Sequence, residues 1–179
     1  MHILSTERLH LRWFDEADGA FVCELLNEPS WLEMIGDRGV RTPEQASVWI
    51  RERLIGNYRA QGFGFWAVVR QSDGALLGMC GLVKRDELPE VDIGYAFVPR
   101  AWGQGYAREA AAACLRYARE TLGLRTLLAI TAPHNEASSR LLEAIGLRYI
   151  ETRNLDEHIG ESKLYRWDAP TEEIHDESP

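Results

Sequence analysis

Between residues 90 and 122 the hydrophobic period of the chain changes once, and the change falls on two glycines. Glu90 to Val98 alternates, with Val91, Ile93, Tyr95 and Phe97 on one face and Glu90 and Asp92 on the other, and Pro99 ends the run. From Gly103 to Leu122 the apolar positions Ala107, Ala111, Cys114, Ala118 and Leu122 recur at spacings of three and four, which predicts an amphipathic helix stopped by Gly123. The joint is Trp102-Gly103-Gln104-Gly105-Tyr106-Ala107. A strand needs a sheet and an amphipathic helix needs a face to cover, so this unit restricts the chain to layered folds of helices on a sheet. The glycines let the backbone pass close to a ligand. The helix start offers unpaired N–H groups and the positive end of the helix dipole. Together these suit a phosphate, and Arg100 and Arg108 flank the place. The alternative is a glycine-rich turn with no ligand. A Walker A loop is excluded because Gly-Lys-Ser/Thr is missing, and a Rossmann turn because Arg108 stands where a third small residue is needed.

The remaining elements follow from the same signals. Leu9, Leu11 and Trp13 alternate as a first strand. Asp15 opens a helix carrying Phe21, Leu25 and Leu26 that stops before Pro29. Thr42-Pro43-Glu44-Gln45 starts another, with a Thr cap, Pro in the first turn and Gln three after the cap, running to about Gly62. Residues 65–70 and 76–83 read as strands joined at Ser72-Asp73-Gly74. Residues 126–132 read as a strand, 136–145 as a helix stopped by Gly146, and 147–152 and 163–167 as strands. The order β-α-α-β-β-β-α-β-α-β-β predicts an α+β domain, a mixed sheet flanked by helices. With 179 residues there is room for one such domain, expected over 1–169, with a polar acidic tail from 170 to 179.

Charge and composition exclude several classes of function. With 20 basic against 28 acidic residues, general affinity for nucleic acid or an anionic membrane is not expected. No apolar run approaches the ~18 residues of a membrane span, and the first residues lack the regions of a signal peptide, so a cytoplasmic protein is expected. Cys23, Cys80 and Cys114 are flanked by apolar residues and read as buried free thiols. The 5 histidines never pair at metal-ligand spacing, and no metal is expected.

Three segments now line up. Trp102-Gly103-Gln104-Gly105-Tyr106-Ala107 resembles the Gln/Arg-x-x-Gly-x-Gly/Ala turn of the GNAT superfamily of acyl-CoA-dependent N-acyltransferases, with Trp102 in place of the Gln/Arg. Asn135-Glu136-Ala137-Ser138-Ser139-Arg140, leading to Gly146, is similar to that family's Asn-x-x-Ser-x-Arg helix. Thr6-Glu7-Arg8-Leu9-His10-Leu11-Arg12 and the aromatic at Trp102 resemble the subgroup that acetylates the N-terminal alanine of ribosomal proteins. The resemblance covers roughly residues 5 to 168 and implies a mostly antiparallel GNAT-like sheet and acetyl-CoA as co-substrate. It implies that the backbone of Gly103, Gln104, Gly105, Tyr106 and Ala107, beside Trp102, holds the pyrophosphate. Phe97 and Val98 would pair with the pantetheine arm as a further strand would. Asn135 would bond that arm, cap its own helix, or do both.

Attack of a neutral amine on a thioester needs proton removal from the amine and relief of the leaving thiolate. Asp92 and Glu90 share a face, so either can raise the other's pKa toward that of a base, unless the face is simply solvated. An α-amine of pKa ~7.7 costs about 1 kcal/mol to deprotonate at pH 7, and a lysine of pKa ~10.4 about 4.6 kcal/mol. That favours a protein N-terminus as acceptor, with a small-molecule amine as the alternative. The tyrosine many family members carry seven residues past the Asn is Leu142 here, which cannot donate a proton. Ser138 is then the expected donor, with Tyr95 and Tyr106 behind it. The missing tyrosine also leaves a non-catalytic CoA-binding sensor or scaffold as a rival. Trp31 and Glu33 would border the acceptor site, Trp31 either stacking on substrate or filling the core. Homodimerisation is left open.

Overall fold

The structure, a computed structural model, describes residues 1–157 and 159–170. The expected tail therefore lies outside the described residues except for Pro170. Eight strands form one sheet: β1 His2–Ser5, β2 Leu9–Arg12, β3 Phe65–Arg70, β4 Leu76–Val83, β5 Asp92–Phe97, β6 Thr126–Thr131, β7 Arg148–Asn154 and β8 Glu161–Asp168. Their order across the sheet is β1-β2-β3-β4-β5-β6-β8-β7. All neighbours are antiparallel except β5 and β6. Those two meet at one register pair, Asp92 with Leu128, supported by a 2.9 Å bond from the Leu128 N–H to the Val91 carbonyl. Beyond that pair they part, and a cleft opens in the middle of the sheet.

The helices follow the sequence signals with instructive offsets. Asp15 caps a 3-10 turn at Glu16–Asp18, and α1 then runs Gly19–Leu26. Pro29 does not merely stop that helix. It stands in the first turn of a short α2, Pro29–Met34, where its missing N–H costs nothing. The Thr42 hydroxyl accepts from the Gln45 N–H at 3.2 Å, as a cap should. It starts α3, Pro43–Trp49, which passes through a π-helical segment, Ile50–Ile55, into α4, Gly56–Gln61. α5 spans Tyr106–Glu120 and packs Ala110, Ala111, Ala113, Cys114 and Ala118 against β4 and β5. Small side chains on this face let the helix lie close to the sheet. There the Cys80 and Cys114 thiols come within 3.5 Å of each other, whereas Cys23 is only half-buried. α6 is Glu136–Ala144.

Candidate active site

The turn between β5 and α5 takes its shape from its glycines. Gly103 and Gly105 both have left-handed backbone, φ +70 and +82, which a side chain resists by ~1–2 kcal/mol. Gly105 is the residue before the first helical turn, so α5 begins at Tyr106, three residues later than the apolar spacing alone indicates. No side chain caps this helix start, which leaves its N–H groups to a ligand. The turn is braced from outside by the N-terminal hairpin. Arg8 donates to the Gln104 carbonyl at 2.9 Å, lies 4.5 Å over the Tyr106 ring, and pairs with Glu109 at 2.7 Å. Glu109 also accepts from the Thr6 hydroxyl and the Arg8 N–H, and these bonds hold its carboxyl below the usual range against the opposing effect of its burial.

A groove of about 770 Å³ runs from this turn along the parted strands, lined by Phe97, Trp102, Gly103, Gly105, Tyr106, Ala107 and Asn135 among others. Gln104 points elsewhere, its side chain donating to the Arg100 carbonyl. Trp102 is 52% exposed, and its indole donates to the Phe97 carbonyl at 2.8 Å. The Val98 N–H is directed at Leu77 on β4, and Val98 is fully buried. This corrects its expected role as an edge partner for a pantetheine arm. By the alternation of a strand, the backbone groups facing the open edge are those of Ile93, Tyr95 and Phe97. Asn135 caps α6 by accepting from the Ser138 N–H at 3.1 Å, which leaves its amide NH2 for a ligand.

A second cavity, about 890 Å³, lies beyond the groove between α2, the π-helical segment and the strand ends. The two spaces share Trp31, Tyr95, Thr131 and Ser138 among their walls. At this junction the Tyr95 hydroxyl is 2.7 Å from the Ser138 hydroxyl. Burial pushes the Tyr95 phenol up, with the Ser138 bond opposing, so it keeps its proton at neutral pH. Leu142 is buried and lines the second cavity. Trp31 fills the core, as one of its two expected roles has it: it is buried, its indole donates to the Gly36 carbonyl, and it also lines both spaces. Glu33 lies exposed in the second cavity, 3.5 Å from His134.

The two acidic residues expected to work together do not share a site. Glu90 is exposed and precedes β5. Asp92 is 1% exposed, and both its oxygens accept from Arg85 Nε, at 3.0 and 3.1 Å. Burial, opposed by Arg85, pushes its carboxyl up to about 6. The cause is therefore desolvation and not a neighbouring carboxylate. Arg85, and not Asp92, lines the second cavity. A carboxyl raised in the folded state, against ~3.9 unfolded, adds stability below pH ~4 that is lost as the pH rises through about 6. Asp92→Asn removes that dependence. Urea unfolding from pH 4 to 7 is expected to show wild type losing about 2 kcal/mol relative to the variant. Parallel stability curves would show that Asp92 titrates normally.

Comparison with known proteins places this geometry. Residues 8–148 match the family model described as acetyltransferase (GNAT) domain. The chain is 34% identical over 152 residues to the Bacillus subtilis protein YkkB, covering 83% of this chain and 87% of that one. It is 30% identical over 160 residues to the FsC-acetyl coenzyme A-N(2)-transacetylase of Aspergillus fumigatus, covering 83% of this chain and 66% of that protein. The crystal structure of an acetyltransferase from Agrobacterium tumefaciens superposes with a TM-score of 0.78 at 28% identity, covering 93% of this chain and 94% of that one.

Proposed function

The chain belongs to the GNAT acetyltransferase family, and on that premise we propose that it moves acetyl from acetyl-CoA directly to the primary amine of a small molecule. The observation that carries this reading is the meeting of two half-open spaces at Tyr95 and Ser138, one beside the uncapped start of α5 and one lined by charges of both signs. The features that resembled the protein N-terminus subgroup, Thr6 to Arg12 and Trp102, lie on the coenzyme side: Arg8 braces the glycine turn and Trp102 bonds the end of β5. They therefore do not speak for the acceptor. A half-open cavity of about 890 Å³ has room for a small amine.

The residues of the groove fit acetyl-CoA. The free N–H groups at the start of α5 would hold its pyrophosphate, and the open edge of β5 and Asn135 its pantetheine arm. Bound there, it supplies the acetyl group and a thiolate leaving group. Tyr95, with Ser138 beside it, holds a proton at the junction for that sulfur. Among the described residues no carboxylate lines both spaces, and in this reading the amine gives up its proton to water in the acceptor cavity, at about 1 kcal/mol for an α-amine. Asp92 acts by positioning Arg85, and Glu90 has no part in the transfer.

Labelled acetyl-CoA, incubated with the protein and a lysate of its source cells and then separated by size, tests the acceptor class. Label in the small-molecule fraction is the expected result. Label confined to a protein band would replace the small amine with a protein N-terminus.

A further inference from the structure

One wall of the acceptor cavity carries charge that amine transfer does not use. Arg38 follows α2, Arg53 stands on the π-helical segment, and Arg85 lies between β4 and β5; all three line the cavity. They come from three separate elements, in a chain of net charge −8. Arg85 is held by Asp92. Among the described residues Arg38 and Arg53 have neither a hydrogen bond nor an ion pair. Arg38 and Arg53 are solvent-exposed at the cavity, and the pKa of Arg38 is lowered by partial desolvation there and by the like charges of Arg85 and Arg53. The carboxylates of the cavity do not relieve this. Asp37 is occupied by Arg41 through two bonds, Glu33 faces His134, Asp156 accepts from the Ile159 N–H, and Glu87 and Glu161 pair with no arginine.

Like charges converging from three elements repel unless something anionic sits between them. Guanidinium forks match the oxygens of carboxylates and phosphates, and bind them more strongly than neutral donors do. We infer that Arg38, Arg53 and Arg85 receive an anionic group, carboxylate or phosphate, carried by the same small molecule whose amine is acetylated. The acceptor is thus amphoteric. Its ammonium end is drawn to the carboxylates of the cavity, and its anionic end to the arginine wall. The π-helical segment fits this role, because such segments cluster at functional sites.

This inference rests on the small-amine reading, and its test separates the two. The wild-type enzyme and the Arg38→Gln/Arg53→Gln double variant are assayed for CoA release with matched acceptors. These are amino carboxylates and their carboxamides, and aminoalkyl phosphates and their neutral phosphate triesters. Wild type is expected to favour the anionic member of a pair at least tenfold in kcat/KM, and the double variant to bring that ratio close to one. Arg38→Lys/Arg53→Lys is expected to restore part of the preference. The better of the carboxylate and phosphate series identifies the anion. Equal turnover of both members of each pair by wild type, or a preference that survives in the double variant, overturns the inference and leaves the small-amine reading standing. Turnover of no small amine, with label passing only to protein N-termini, overturns both.

Discussion

Gly105→Glu is expected to weaken acetyl-CoA binding more than a hundredfold while leaving a folded protein. Two effects act on one atom position. The backbone there has φ +82, where a side chain costs ~1–2 kcal/mol, so the loop of the variant relaxes away from the shape that presents its N–H groups. A new Cβ would also sit 3.3 Å from the Arg8 guanidinium, which at present braces the turn. The added carboxylate then competes with pyrophosphate for that guanidinium and for the uncapped start of α5, and repels the phosphates directly. A hundredfold loss is about 2.8 kcal/mol, within reach of strain and like-charge repulsion acting together. Gly105→Ala separates them, because it carries the strain without the charge. Its expected loss is five- to thirtyfold. Calorimetric titration with acetyl-CoA, beside thermal unfolding of each variant, measures both. A folded Gly105→Glu protein with unaltered affinity would place the coenzyme elsewhere.

The glycine turn was legible in the sequence because its requirement is local. Left-handed backbone selects glycine, and the helix after it announces itself by period. The same holds for the Thr42 cap, the turn at Ser72-Asp73-Gly74 and the Asn135 cap, each read correctly from adjacent residues. β1 has no such signal, because His2–Ser5 lies at the sheet edge with no fully buried side chain and so no apolar alternation, whereas β2, equally short, alternates. The pairing of acids was misjudged for a different reason. Alternation says which side chains share a face, but not what stands in front of that face. Arg85, seven residues before Asp92, closes over it, and Glu90 falls outside the strand. Long-range partners carry no local signal at all. Arg8 reaches Glu109 and Gln104, Tyr95 reaches Ser138, and three arginines line one cavity from segments with no common period. Arg8 had one trace in the sequence, since it lies in the opening run that resembled the family. Its physical purpose needed the fold.

In the proposed mechanism the Tyr95–Ser138 contact takes the place of the tyrosine that Leu142 replaces. Position 142, on α6, lines the second cavity and not the groove. Here the phenol enters from β5 and meets the helix at Ser138. Tyr95→Phe is therefore expected to lower kcat about a hundredfold, with acetyl-CoA affinity and acceptor KM changed less than threefold. General acid catalysis contributes ~10²–10⁴, and phenylalanine keeps the ring that fills the space. Because burial raises Tyr95, its proton is retained across the neutral range, and its loss from wild type is expected only at strongly basic pH. Ser138→Ala tells which hydroxyl faces the sulfur. If Tyr95 donates directly, removing Ser138 costs roughly tenfold or less, as the loss of one hydrogen bond to the donor. If Ser138 donates and Tyr95 only holds it, the two variants fall together and the double variant falls no further. Steady-state kinetics of the three variants, with acetyl-CoA titrations as control, distinguish these cases. An undiminished kcat in Tyr95→Phe and in Ser138→Ala would mean that the thiolate, with a pKa near 8.5, leaves into water without help from the protein. The enzyme would then owe its rate to holding amine and thioester together at the meeting of the two cavities.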